Sequence, residues 1–95
     1  MLITLSKSPY YCDLQSLLRI TQIGDDLLLI SDGVIAGISN TYIFDQLNKY
    51  GLILYALKND VIARGLLSYF DKSISIIDYN DFVQLTVNNK QQISW

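Results

Sequence analysis

Four short apolar runs recur along the chain, and each is continuous rather than alternating between apolar and polar residues. They are MLITL (1–5), DLLLI (26–30), LILYAL (52–57) and SISII (73–77). Continuous runs of this length are typical of parallel strands covered on both faces, because neither side of such a strand meets water. The pattern therefore predicts four mainly parallel strands.

Segments with helical spacing lie between and after these runs. In the first, Asp13 is the expected N-cap and the helix is predicted to end near Gly24. The other predicted segments are 34–49 with a break near Asn40, a helix that begins at Asn59 or Asp60, and a helix over 78–89.

The alternation of strands and helices predicts an α/β fold. We expect a small doubly wound, four-stranded, mainly parallel sheet in the flavodoxin-like order 2-1-3-4, with helices on both faces. Since no linker or low-complexity tract interrupts the pattern, residues 1–95 are predicted to form a single domain.

The charge distribution argues against nucleic acid and membranes as partners. Nine acidic residues, all Asp, face seven Lys and Arg that are spread singly along the chain, whereas a nucleic-acid surface gathers its basic residues on one face. The longest apolar run, GLILYAL, is far shorter than the roughly 20 residues of a membrane span. The opening MLITLSKSPYY has no basic region of the kind that starts a signal peptide. We therefore expect a soluble cytoplasmic protein that does not bind nucleic acid directly.

The chain has no histidine and one cysteine, Cys12. This composition excludes a Ser-His-Asp triad, a Cys-His pair and a Cys/His zinc site within the chain. The lone thiol also excludes an internal disulfide and fits a reducing compartment. We expect no bound metal, nucleotide or flavin.

The stretch LLLISDGVIAG is the part of the sequence that most resembles a ligand-binding turn. Its glycines, Gly33 and Gly37, are four residues apart and lack both the G-x-G-x-x-G spacing and a Gly-Lys-Ser/Thr sequence. We therefore predict that they allow close packing rather than phosphate binding.

Two acidic residues have structural roles in our interpretation. Asp32 is expected to cap the following helix rather than act as a general base. Asp60 is expected to form an exposed i, i+4 ion pair with Arg64.

Two functional classes with this predicted topology do not fit the loops. A flavodoxin binds the flavin phosphate in a first loop rich in Ser, Thr and Gly, whereas SKSPYY has no glycine. A response-regulator receiver needs acidic residues after the first and third strands, where this chain has Ser6, Lys7 and Lys58.

Tyrosines suggest an interface instead, since Tyr10 and Tyr11 are residues that protein interfaces favour. We expect a total interface above about 1,200 Å² with subunits of the same fold.

Four blocks of the sequence carry a family resemblance that spans nearly the whole chain. They are ITLSKSP, LLLISDGVIAG, YALKNDVIARGL and IDYNDFVQLTVNNKQQISW. In order and spacing they resemble the DsrH-like proteins of the DsrE/DsrF-like fold superfamily. The resemblance implies a non-catalytic subunit of a sulfurtransferase complex, a sulfur relay that passes persulfide sulfur for 2-thiolation of the tRNA wobble uridine.

The resemblance also implies partners. These are a TusC-like and a TusD-like subunit in a dimer of heterotrimers, a TusA-like sulfur donor and a TusE-like acceptor. The active cysteine of the relay belongs to the TusD-like subunit. Some relatives have a cysteine in the first helix, where this chain has Leu17, so the resemblance supplies no catalytic residue here.

Two alternatives stay open at this point. The chain could carry persulfide sulfur itself through Cys12, or it could bind a ligand alone at the crevice where the strands end. Lys7 and a helix N-terminus would lower the pKa of Cys12, whereas Asp13 would raise it. We predict that Cys12 is not a sulfur carrier.

Overall fold

The computed structural model describes all 95 residues as alternating strands and helices around one sheet. In chain order the elements are β1 (Leu2–Leu5), α1 (Leu14–Arg19), β2 (Asp26–Leu29), a 3-10 helix (Ser31–Gly37), α2 (Tyr42–Asn48), β3 (Ile53–Leu57), α3 (Lys58–Ala63), a short 3-10 turn (Leu67–Tyr69), β4 (Ser75–Ile77), α4 (Tyr79–Asn88) and β5 (Gln92–Ser94).

The sheet has five parallel strands in the order β4-β3-β2-β1-β5. The predicted α/β class with a parallel sheet is confirmed, but the strand number of four and the order 2-1-3-4 are wrong. Each of the first three crossovers steps one strand in the same direction, so that β3 pairs with β2 rather than with β1. The chain then returns over the sheet through α4 and adds β5 beside β1, with Leu2 opposite Gln92.

Helices cover the two faces of the sheet unequally. On one face α1, the 3-10 helix, α2 and α3 build the main core around fully buried residues, among them Leu17, Val34, Leu47 and Val61. On the other face α4 alone packs Phe82 and Leu85 against a smaller cluster that contains Leu2, Leu28 and Ile77. Since all the strands are parallel, their carboxyl ends meet at one edge of the sheet.

The predicted helix starts are partly confirmed. Asp13 caps α1 by accepting the Ser16 amide at 3.1 Å, and Asp78 caps α4 by accepting the Asp81 amide at 2.9 Å. However, α1 ends at Arg19 rather than near Gly24, and α3 begins at Lys58, directly after β3.

The predicted helical segment 34–49 is divided into two helices of different type. The 3-10 helix already begins at Ser31, and the break falls at Asn40 as predicted, where φ is 62°. Thr41 then caps α2 by accepting the Phe44 amide at 3.2 Å. None of the helices has the length and apolarity that crossing a membrane requires.

Candidate functional site at the carboxyl edge of the sheet

The loop between β1 and α1 is a tight turn that directs two tyrosines outward. The buried Ser8 accepts the Tyr10 amide on its hydroxyl at 3.3 Å and the Tyr11 amide on its carbonyl at 2.9 Å. Both tyrosine side chains are exposed, Tyr11 by 88%. The loop thus presents an aromatic surface beside the strand ends.

Cys12 follows these tyrosines and lies half-buried against the main core. Burial is the main cause that raises the pKa of its thiol above the ordinary value, because a low-polarity environment disfavours the thiolate. Lys7 lowers this pKa and Asp13 raises it, in smaller measure. A raised pKa keeps the thiol protonated at neutral pH, whereas sulfur transfer needs the thiolate.

We expect Cys12 to react with iodoacetamide more slowly at pH 7.5 than the cysteine of an unfolded peptide, and its rate to keep rising at higher pH. Lys7→Ala should slow labelling and Asp13→Asn should speed it, each roughly twofold to fivefold, because removing the cation raises the pKa further and removing the anion lowers it. Mass spectrometry of timed samples measures the rates. Faster labelling than in the peptide would contradict the raised pKa.

Leu17 is the residue that the family resemblance placed opposite the first-helix cysteine of some relatives. It is fully buried in the main core and faces the sheet from α1. Its side chain therefore serves packing. This position supplies no thiol or other reactive group.

The glycine turn after β2 is closed by the neighbouring strand. A Cβ atom on Gly33 would lie 1.9 Å from the backbone oxygen of Leu5, and that same oxygen accepts the Ile30 amide at 3.0 Å. A Cβ atom on Gly37 would lie 2.3 Å from the Phe70 ring. Both glycines are thus required by close packing, as the sequence predicted.

A polar network ties this turn to α3. Ser31, which has a φ of 49°, donates its amide to the Asp60 carboxylate at 2.8 Å. Arg64 donates through Nε and Nη2 to one oxygen of Asp32, at 3.1 and 3.0 Å, and through Nη1 to the Asp60 carbonyl at 3.3 Å. The expected i, i+4 pair between Arg64 and Asp60 exists at 3.9 Å but is the weaker of the two ion pairs.

Asp32 is therefore not the helix cap that the sequence predicted. Ile30 is the N-cap residue of the 3-10 helix and makes no side-chain capping bond, while the Asp32 carboxylate turns to Arg64. Because its side chain is 64% exposed, this ion pair is worth little stability.

The carboxyl edge does not gather its chemically active side chains into one site. Cys12 forms no hydrogen bond with Asp32, Asp60 or Arg64. The structure contains no group of three or more Asp and Cys side chains that could hold a metal ion. What this edge and its surroundings do offer is exposed apolar surface, which includes Tyr10, Tyr11, Ile62, Leu67 and Tyr69.

Comparisons with known proteins identify the family. Residues 7–92 match the family model described as "DsrH like protein". The chain belongs to the DsrH-like family. Among its DsrH-like relatives, Protein TusB of Sodalis glossinidius (strain morsitans) is 55% identical over 95 residues and Protein TusB of Serratia proteamaculans (strain 568) is 50% identical, with all of both chains covered in each case.

Two solved structures share the DsrH-like chain's fold. The crystal structure of the ychN protein from E. coli matches with a TM-score of 0.77 and 17% identity, covering 99% of this chain and 97% of that one. The solution NMR structure of protein Tm0979 from Thermotoga maritima matches with a TM-score of 0.67 and 22% identity, covering 96% and 97%. At such identities the likeness supports the fold only.

Proposed function

We propose that this chain is a non-catalytic subunit of a cytoplasmic sulfur-relay complex that supplies persulfide sulfur for 2-thiolation of the wobble uridine in tRNA. The observation that carries the proposal is the full-length likeness to proteins named TusB, at 55% and 50% identity. In this assignment the chain joins a TusC-like and a TusD-like subunit in a dimer of heterotrimers. A TusA-like donor delivers the sulfur and a TusE-like acceptor takes it.

The chemistry of the chain supports a structural role within that complex. Its only thiol, Cys12, is half-buried with a raised pKa, and no acid or base forms a hydrogen bond with it. A sulfur carrier needs an accessible thiolate, so the environment of Cys12 disfavours the alternative in which this chain carries sulfur itself. The exposed tyrosines instead fit a role in holding other subunits.

The test is complementation in cells that lack this gene. We expect the natural chain and Cys12→Ser to restore thiolation of the wobble uridine to similar levels, while cells without the chain lose it because the complex does not assemble. Mass spectrometry of digested tRNA measures the modification, and size-exclusion chromatography of the co-expressed subunits measures assembly.

Two outcomes would contradict the proposal in different ways. Loss of thiolation in Cys12→Ser, with the complex still intact on the column, would show that this chain carries sulfur. Normal thiolation in cells without the chain, or a chain that stays apart from both co-expressed subunits, would remove the proposed role altogether.

A further inference from the structure

The outward side of α4 carries three apolar side chains that no other part of the chain covers. Tyr79, Val83 and Val87 follow one another at intervals of four residues and are 64%, 43% and 71% exposed. They extend over roughly 12 Å of the helix, whereas Phe82 and Leu85 pack toward the sheet. We call these three exposed side chains the α4 outer stripe.

The charges near the α4 outer stripe lie at opposite ends of the helix. Asp78 and Asp81 are at its N-terminal end, Lys90 follows its C-terminal end, and residues 82–89 between them carry no charge. A second α4 packed antiparallel would bring its Lys90 toward the two aspartates, and symmetry would repeat that attraction at the other end. A parallel second α4 would place like charges side by side.

We propose that two copies of this chain meet across a two-fold axis at Val83, with their α4 helices antiparallel. The α4 outer stripe is self-complementary about that residue, because Tyr79 of one copy meets the partner's Val87 while Val83 meets its own counterpart. An uncharged centre with charges at the rim is the usual composition of a protein interface.

This inference rests on the proposed function, since a dimer of heterotrimers holds two copies of the chain and relates them by a two-fold axis. The contact through α4 leaves the opposite face of the sheet free for the unlike subunits. That face also exposes apolar side chains, among them Tyr42 on α2 and Ile62 on α3. Like and unlike contacts would thus use different faces of the fold.

A cysteine placed on the proposed axis provides the first test. In a Cys12→Ser background, Val83→Cys of the isolated chain should form a disulfide with its own counterpart under mild oxidation, because Cβ atoms on a two-fold axis come close enough to bridge. Tyr42→Cys is the control: it lies on the opposite face and, although it is more exposed than Val83 (74% against 43%), it should cross-link at least tenfold more slowly. Equal rates for the two variants, or no Val83→Cys dimer on a non-reducing gel, would overturn the inference.

The second test uses the complex. With Val83→Asp or Val87→Asp, the co-expressed assembly should fall to half its mass while keeping all three kinds of subunit in equal amounts. Circular dichroism checks that each variant is folded, and Val87→Asp is the safer of the two because its side chain is the more exposed.

An intact heterohexamer with both variants would refute the α4 contact and leave the proposed function standing. Loss of the unlike subunits from the assembly would also refute the α4 contact, because α4 would then contact those subunits within the heterotrimer. A natural chain that binds no unlike subunit would refute the proposed function, while the cross-linking of the isolated chain would still decide the α4 contact.

Discussion

Gly33→Ala should lower the free energy of unfolding by about 3 kcal/mol, at the upper end of the range for overpacking. The added methyl group would lie 1.9 Å from the Leu5 carbonyl oxygen. That oxygen belongs to the backbone of β1, which pairs with β2 on one side and β5 on the other, so it cannot move without disturbing both neighbours. For a chain of this length the loss corresponds to a melting temperature lower by roughly 12 to 24 °C.

Gly65→Ala is the matched control for this prediction. Gly65 has a φ of 65° and no atom within 4 Å of an added Cβ, so its substitution introduces backbone strain without a collision. We expect a loss of about 1 kcal/mol, the cost of a left-handed conformation for an L-residue. Urea unfolding followed by circular dichroism compares the two variants, and a Gly33→Ala loss no greater than that of Gly65→Ala would refute the packing role.

The strand order could not be read from the apolar runs. The runs that become β1, β2 and β3 are all short and continuous, and nothing local in them states which strand is the neighbour of which. The order depends on the direction in which each crossover steps, which is a property of the whole chain. The parallel arrangement was predictable, because continuous apolar runs indicate strands covered on both faces. Such strands are typical of parallel sheets, whose connecting helices cover the two faces.

The polar network at the carboxyl edge could not be predicted from the sequence for the same reason. Arg64 meets Asp32, which lies 32 residues earlier, because β2 and β3 are adjacent and the segments after them come together. With the order 2-1-3-4 those segments would be separated by β1, and Asp32 would be left to cap its own helix. Had the neighbouring strands been known, the ion pair between Asp32 and Arg64 could have been predicted in place of the helix cap.

The chemistry that the chain can perform was easier to predict from the sequence than the geometry of the candidate site. The absence of histidine and the single cysteine limited the possible mechanisms from composition alone. What the sequence could not give was the balance of influences on the pKa of Cys12, because the largest of them is burial, and the burial of a loop residue depends on the packing of the whole core. Lys7 and Asp13 were correctly predicted as the opposing charges.

The fifth strand escaped prediction because it carries almost no apolar signal. Of the residues in β5 only Ile93 is half-buried, while Gln92 and Ser94 are exposed, so its sequence resembles a polar tail. Its backbone nevertheless completes the sheet. Trp95 donates its amide to the Thr4 carbonyl at 2.8 Å, and Leu2 donates to the Gln91 carbonyl at 3.0 Å.

Deleting residues 90–95 should therefore lower the free energy of unfolding by about 4 kcal/mol, of which about 2 come from the half-buried Trp95 ring and about 1 from each of these two hydrogen bonds. The deletion also leaves β1 as a bare edge strand, which invites aggregation. Trp95→Ala should lose only the ring's share, and Ser94→Ala, an exposed position in the same strand, should stay within about 0.5 kcal/mol of the natural chain. Urea unfolding measures all three variants. If the deletion costs no more than Trp95→Ala, the backbone pairing of β5 adds no stability to the sheet.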